Sequence, residues 1–199
     1  MTAVVSLGMF SESLSKARRL IDLALRNSAD EALLHSCSAL LSAVALHQAI
    51  DVALRTWAAN RAVKTGEAEL NSPAYSFRLK PMRIQMARLP HFLTGGALRL
   101  RQASPDAKSL HELLELRNRL VHIEDLVQSI RLTPEMIERD GDSEFYRIPI
   151  DLPDDPWEDL VNDQARRYLD VVELYISEII NPPPDELKPG RLLESTPGN

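Results

Sequence analysis

The chain has 199 residues, 44% of them hydrophobic and 26% charged, with one cysteine. Length and mixture suit one domain with a sizeable core, the Leu- and Ala-dominated apolar set favours helix over strand, and a single thiol excludes an internal disulfide framework. A net charge of -6 argues by itself against a nucleic-acid partner, but the charge is uneven: residues 70 to 122 carry nine Lys/Arg against three Asp/Glu, and residues 123 to 199 seven against nineteen.

Met1 to Phe10 lacks the basic start and unbroken apolar run of a signal peptide. Helical spacing of Leu14, Ala17, Ile21 and Ala24 predicts a first helix over about Glu12 to Arg26. Ser28-Ala29-Asp30-Glu31 is a capping-box sequence, so a second helix should begin near Ala29 and run to about Val63. Its uncharged middle, Ala32 to Ile50, approaches the length of a membrane span. It holds His35, Ser36, Ser38, Ser42, His47 and Gln48, however, so it reads as a central helix buried in protein, with no membrane. Cys37, among Leu34, Leu40, Leu41 and Val44, reads as a small buried hydrophobe in a chain suited to a reducing cytoplasm. His35 and His47 read as core or edge histidines.

Thr65 to Ser76 has loop composition. A short basic helix follows at about Leu79 to Leu89, broken by Pro90 and Gly95-Gly96. Ser104-Pro105-Asp106 supplies a capping hydroxyl, a first-turn proline and an acid, which start a helix running to about His122. Residues 123–155 form an irregular insertion with Phe145, Tyr146, Ile148 and Ile150 as a short strand. A last helix spans about Trp157 to Ile180, with Leu160, Val161, Tyr168, Val172, Tyr175 and Ile179 on its apolar face. One helical domain over 1–181 and a disordered tail over 182–199 follow as expectations.

On a wheel with Leu110 as origin, Val121 falls at about 20°, Leu114 at about 40° and Leu113 at about -60°, which puts Arg117, at about -20°, inside the apolar stripe. A guanidinium there needs an anion or several acceptors. Asn118 and His122, at about 80° and 120° on the same count, flank one side of the stripe. The bland alternative is structural: Arg117 meets a carboxylate such as Asp22 or Asp51, and His122 caps the helix end.

Arg117-Asn118-x-x-x-His122 at a helix end, after Leu113-Leu114-Glu115-Leu116, resembles the signature of HEPN domains, and the helix order is similar over about residues 10 to 180. The resemblance implies an all-α, up-down helical bundle that dimerises so that two motifs face one cleft. It implies a metal-independent endoribonuclease, a toxin or phage-defence effector with an antitoxin or other protein partner, or a relative that binds RNA or nucleotides without cutting. His122 would be the general acid/base for attack of the ribose 2′-OH, Arg117 would hold the phosphate, and Asn118 would orient the site; imidazole and guanidinium suit those roles. No metal or cofactor is needed. Where one branch of the family carries a nucleotidylated Tyr two residues after the His, this chain has Glu124.

Between Glu69 and Asp106 there is no acid, but there are Arg78, Lys80, Arg83, Arg88, Arg99 and Arg101, with Tyr75, Phe77 and Phe92 as stacking platforms. Arg78, Lys80, Arg83, Arg88 and Arg119 are the candidate RNA contacts. The competing reading is a solvated face whose arginines pair with the acidic C-terminal third. His111 to Glu115 is not the zinc pattern H-E-x-x-H and reads as a solvated helix face. No P-loop, dinucleotide fingerprint or nucleophile elbow is present. A metal-independent ribonuclease, a non-catalytic RNA-, nucleotide- or protein-binding module and a plain dimerisation scaffold remain the candidate functions.

Overall fold

A computed structural model of the protein describes residues 10–26, 30–66, 72–121, 137–140, 143–146 and 160–197. Among these the architecture is mostly helical, as composition predicts. In chain order it runs α1 (Phe10–Ala24), α2 (Glu31–Thr65), α3 (Pro73–Arg78), α4 (Met82–Leu93), β1 (Leu98–Leu100), α5 (Pro105–Val121), β2 (Ile137–Asp140), β3 (Ser143–Tyr146), α6 (Asn162–Tyr175), a π-helical continuation (Ile176–Ile180) and β4 (Leu193–Ser195). β2 and β3 form an antiparallel hairpin inside the expected insertion.

α2 is the central element, touching α1, α3, α4, α5 and α6. It is apolar on several sides, and Ala39, Ala43, Ala45 and Ala49 are small enough for neighbouring helices to come close. Each fully buried Leu or Ile along it, such as Leu46, Ile50 and Leu54, stabilises the fold by about 1.5–3 kcal/mol. Two of its buried hydroxyls donate hydrogen bonds to carbonyls, Ser38 to Ala17 and Ser42 to Ser38, both at 2.9 Å. Gly66, at φ 71°, ends the helix by donating its N–H to Ala62 at 2.8 Å, a left-handed cap that suits glycine. α2 is long and apolar enough to cross a membrane, but half of its most apolar window is buried against the rest of the chain. Cys37 is half-buried, His47 exposed, and His35 fully buried with neither ring nitrogen hydrogen-bonded.

Three local expectations need correction. The loop predicted over Thr65 to Ser76 contains the start of α3, because Ser72 accepts the Ala74 N–H on its hydroxyl and Pro73 sits where a helix needs no donor. The basic helix lies at Met82–Leu93 rather than Leu79 to Leu89, and it passes through Pro90 instead of stopping there. Pro90 has no N–H for the Met86 carbonyl one turn back. The Tyr175 hydroxyl supplies the missing donor at 2.8 Å; burial pushes its pKa up and keeps it protonated. Val161, placed on the apolar face of the last helix, is exposed.

The tail is not disordered through residue 197. β4 pairs antiparallel with β1, with Leu98 opposite Ser195, Arg99 opposite Glu194 and Leu100 opposite Leu193, and Leu192 and Leu193 are fully buried. The Glu178 carboxylate anchors the return by accepting the N–H groups of Arg191 at 3.1 Å and Leu192 at 2.9 Å. Gly190 passes so close that a Cβ there would lie 2.9 Å from Glu178 Oε2.

Candidate nucleic-acid interface

α5 starts where its sequence predicts: Ser104 Oγ accepts the Ala107 N–H at 3.1 Å and Pro105 opens the first turn. Its inner face buries Ala107, Leu110, Leu113, Leu114 and Leu120, with Leu116 completing the stripe. Arg117 is half-buried within that stripe, and its Nη1 donates to Asn118 Oδ1 at 3.1 Å. Among the described residues no carboxylate pairs with it. Asp51, one candidate partner, is taken by Arg78 at 2.6 Å and Arg55 at 2.7 Å. His122 lies outside the described residues. Asn118 and Arg119 are exposed.

The other predicted RNA contacts divide. Arg78 is half-buried on Asp51. Lys80 is exposed, while its carbonyl and that of Arg78 hold the Gln85 amide at 2.6 and 2.9 Å. Arg83 reaches Glu115 across α4 and α5 at 3.6 Å, and Arg88 is exposed with no acidic partner among the described residues. Arg99 and Arg101 both turn to Glu194, so there the competing reading holds. Two of the proposed stacking platforms are already engaged: Phe77 stacks on Phe92 at 4.8 Å, and Phe92 meets Trp57 in a tilted contact at 4.7 Å. Tyr75 is exposed.

Between α4 and α5 lies an open cleft of about 540 Å³, lined among others by Arg83, Arg88, Gln102, Lys108, His111 and Glu115. His111 Nε2 meets Gln102 Oε1 at 3.0 Å, while its Nδ1 is buried without a partner. Burial, reinforced by the Arg83 charge and opposed by Glu115, holds this imidazole below the ordinary histidine range. Glu112, on the same wall, is drawn to Arg167 of α6 at 2.9 Å. The sequence singles out neither Gln102 nor Lys108, and His111, expected on a solvated helix face, is instead half-buried in the cleft. The available signal was spacing: Lys108, His111, Glu115 and Asn118 recur every three or four residues along one face of α5.

On the α6 side of α5 a second hollow, about 520 Å³, is lined by Asp106, Asp163, Arg166, Arg167, Asp170 and Arg191 among others. Here cations meet local acceptors: Arg191 grips Asp106 at 3.0 Å, and Arg166 donates to Asn162 at 3.2 Å. Compared with family models, with curated proteins and with solved structures, the chain matches none.

Proposed function

We propose that the chain is a metal-independent endoribonuclease of HEPN type, working in the cytoplasm as a homodimer in a toxin or phage-defence setting, with Arg117, Asn118 and His122 as its catalytic set. The observation that carries this reading is the state of Arg117. It is half-buried, bonded to a neutral carboxamide and unpaired with any carboxylate of the described residues, so its guanidinium keeps donors for a phosphate. His122 enters by its spacing in sequence from Arg117 and Asn118. In the proposed reaction the imidazole takes the ribose 2′-OH proton as that oxygen attacks phosphorus, and a proton is returned to the departing 5′ oxygen, leaving a 2′,3′-cyclic phosphate and a 5′-hydroxyl.

The cations of the α4–α5 cleft also favour a second reading, a module that holds RNA without cutting it. Growth separates the two. Producing the nuclease slows the host, and His122→Ala relieves the effect; a binding module retains RNA in a salt-sensitive manner and leaves growth unchanged in both forms. An antitoxin, in the first case, is a partner whose co-production restores growth.

A further inference from the structure

The charges around the α4–α5 cleft do not cancel. Glu115 is engaged by Arg83 and Glu112 by Arg167, and the described residues offer no carboxylate to Arg88 or Lys108. Two surplus cations, an exposed guanidinium from α4 and an exposed ammonium from α5, thus line one concavity with Arg83 beside them. Gln102 spends its Oε1 on His111 and keeps its Nε2 as a neutral donor. Ile84, exposed despite its size, and Ala87 add an apolar shelf to the same cleft.

We propose that this cleft is a phosphate-ester site. Arg88 and Lys108 hold the oxygens, Arg83 and Gln102 supply further donors, and the organic part of the ester lies on Ile84 and Ala87. An RNA backbone fits better than a carboxylate because each phosphodiester brings one negative charge and two free oxygens, so successive phosphates can meet the two surplus cations, one of them a planar fork that takes two oxygens at once. The volume falls within the ordinary range for small-ligand sites. The site does not depend on catalysis by Arg117 and His122. It rests on the RNA reading only for the source of the phosphate, an RNA backbone rather than a free phosphate.

The test is NMR observation of the His111 ring and the Arg88 side chain during titration of the full chain, first with inorganic phosphate and then with a 2′-O-methyl RNA octamer that cannot be cut. The expected result is saturable movement of both signals, with affinity about tenfold weaker or worse in an Arg88→Ala, Lys108→Ala double variant and unchanged in Lys64→Ala, an exposed lysine outside the cleft. Both sites of substitution are exposed, and an unchanged thermal midpoint confirms that the double variant is folded. Saturation by phosphate with no response to RNA supports the site and removes RNA as its source. Signals that stay still with both probes, or equal affinity in the double variant, overturn it. RNA binding that leaves His111 and Arg88 unmoved also overturns it, while leaving the RNA reading in place.

Discussion

The two hollows flanking α5 have similar volumes and both contain three cations, yet their electrostatics differ. On the α6 side Arg191, Arg167 and Arg166 each have a partner within the chain, and the hollow is a seam between α5, α6 and the returning tail. On the α4 side only Arg83 is engaged among the described residues, and loosely, at 3.6 Å. The same residue types therefore brace the fold on one side and, in the proposed site, would meet an external anion on the other. What separates them is the reach of an acceptor: Asp106 and Glu112 come to Arg191 and Arg167 from 85 and 55 residues away, and Asn162 meets Arg166 one turn back in α6.

If that division holds, substitutions on the braced side cost stability and spare phosphate binding, and those in the cleft do the reverse. The largest stability effect is expected for Tyr175→Phe, which leaves the Met86 carbonyl buried beside Pro90 without a donor; urea unfolding should show a loss of about 1–3 kcal/mol. Glu178→Gln should cost less, about 1 kcal/mol, because its one amide oxygen can still accept from the part-buried Leu192 N–H while water replaces the lost oxygen at the exposed Arg191 N–H, with faster amide exchange over β4. Arg88→Ala and Lys108→Ala should each change stability by less than about 0.5 kcal/mol. A destabilisation as large as that of Tyr175→Phe would mean that the cleft too is a brace.

The smallest effect is a titration. The folded His111 should titrate below the ordinary histidine value of about 6.5, higher after Arg83→Gln and lower after Glu115→Gln. Because the folded value is depressed, the unfolded chain binds that proton more tightly. This contribution to stability is complete above about pH 6.5 and is lost as pH falls through the folded midpoint. A midpoint unmoved by Arg83→Gln would show that the guanidinium does not face the imidazole.

Much of the helical framework was legible because its signals are local. Ser104-Pro105-Asp106 started α5 at the expected residue, the small and apolar residues of α2 marked it as central, and the wheel put Arg117 in the stripe where it sits half-buried. What escaped depends on distant partners. Pro90 reads as a break until Tyr175, 89 residues from Met86, supplies the donor. The tail reads as disordered because Leu192 and Leu193 are two apolar residues in a polar stretch whose β-partner is a three-residue strand. The candidate site was half legible for the same reason. A run of arginines is visible in sequence, but that Arg99 meets Glu194 while Arg88 meets no acid among the described residues is decided by the fold.

The central claim, that Arg117 and His122 cut RNA without metal, is tested most directly by incubating purified protein with total RNA in excess EDTA and mapping the ends. Wild type should cleave and leave 2′,3′-cyclic phosphates, with Arg117→Ala and His122→Ala slower by about 100-fold or more. Equal cleavage by all three proteins, or none by wild type, would contradict it.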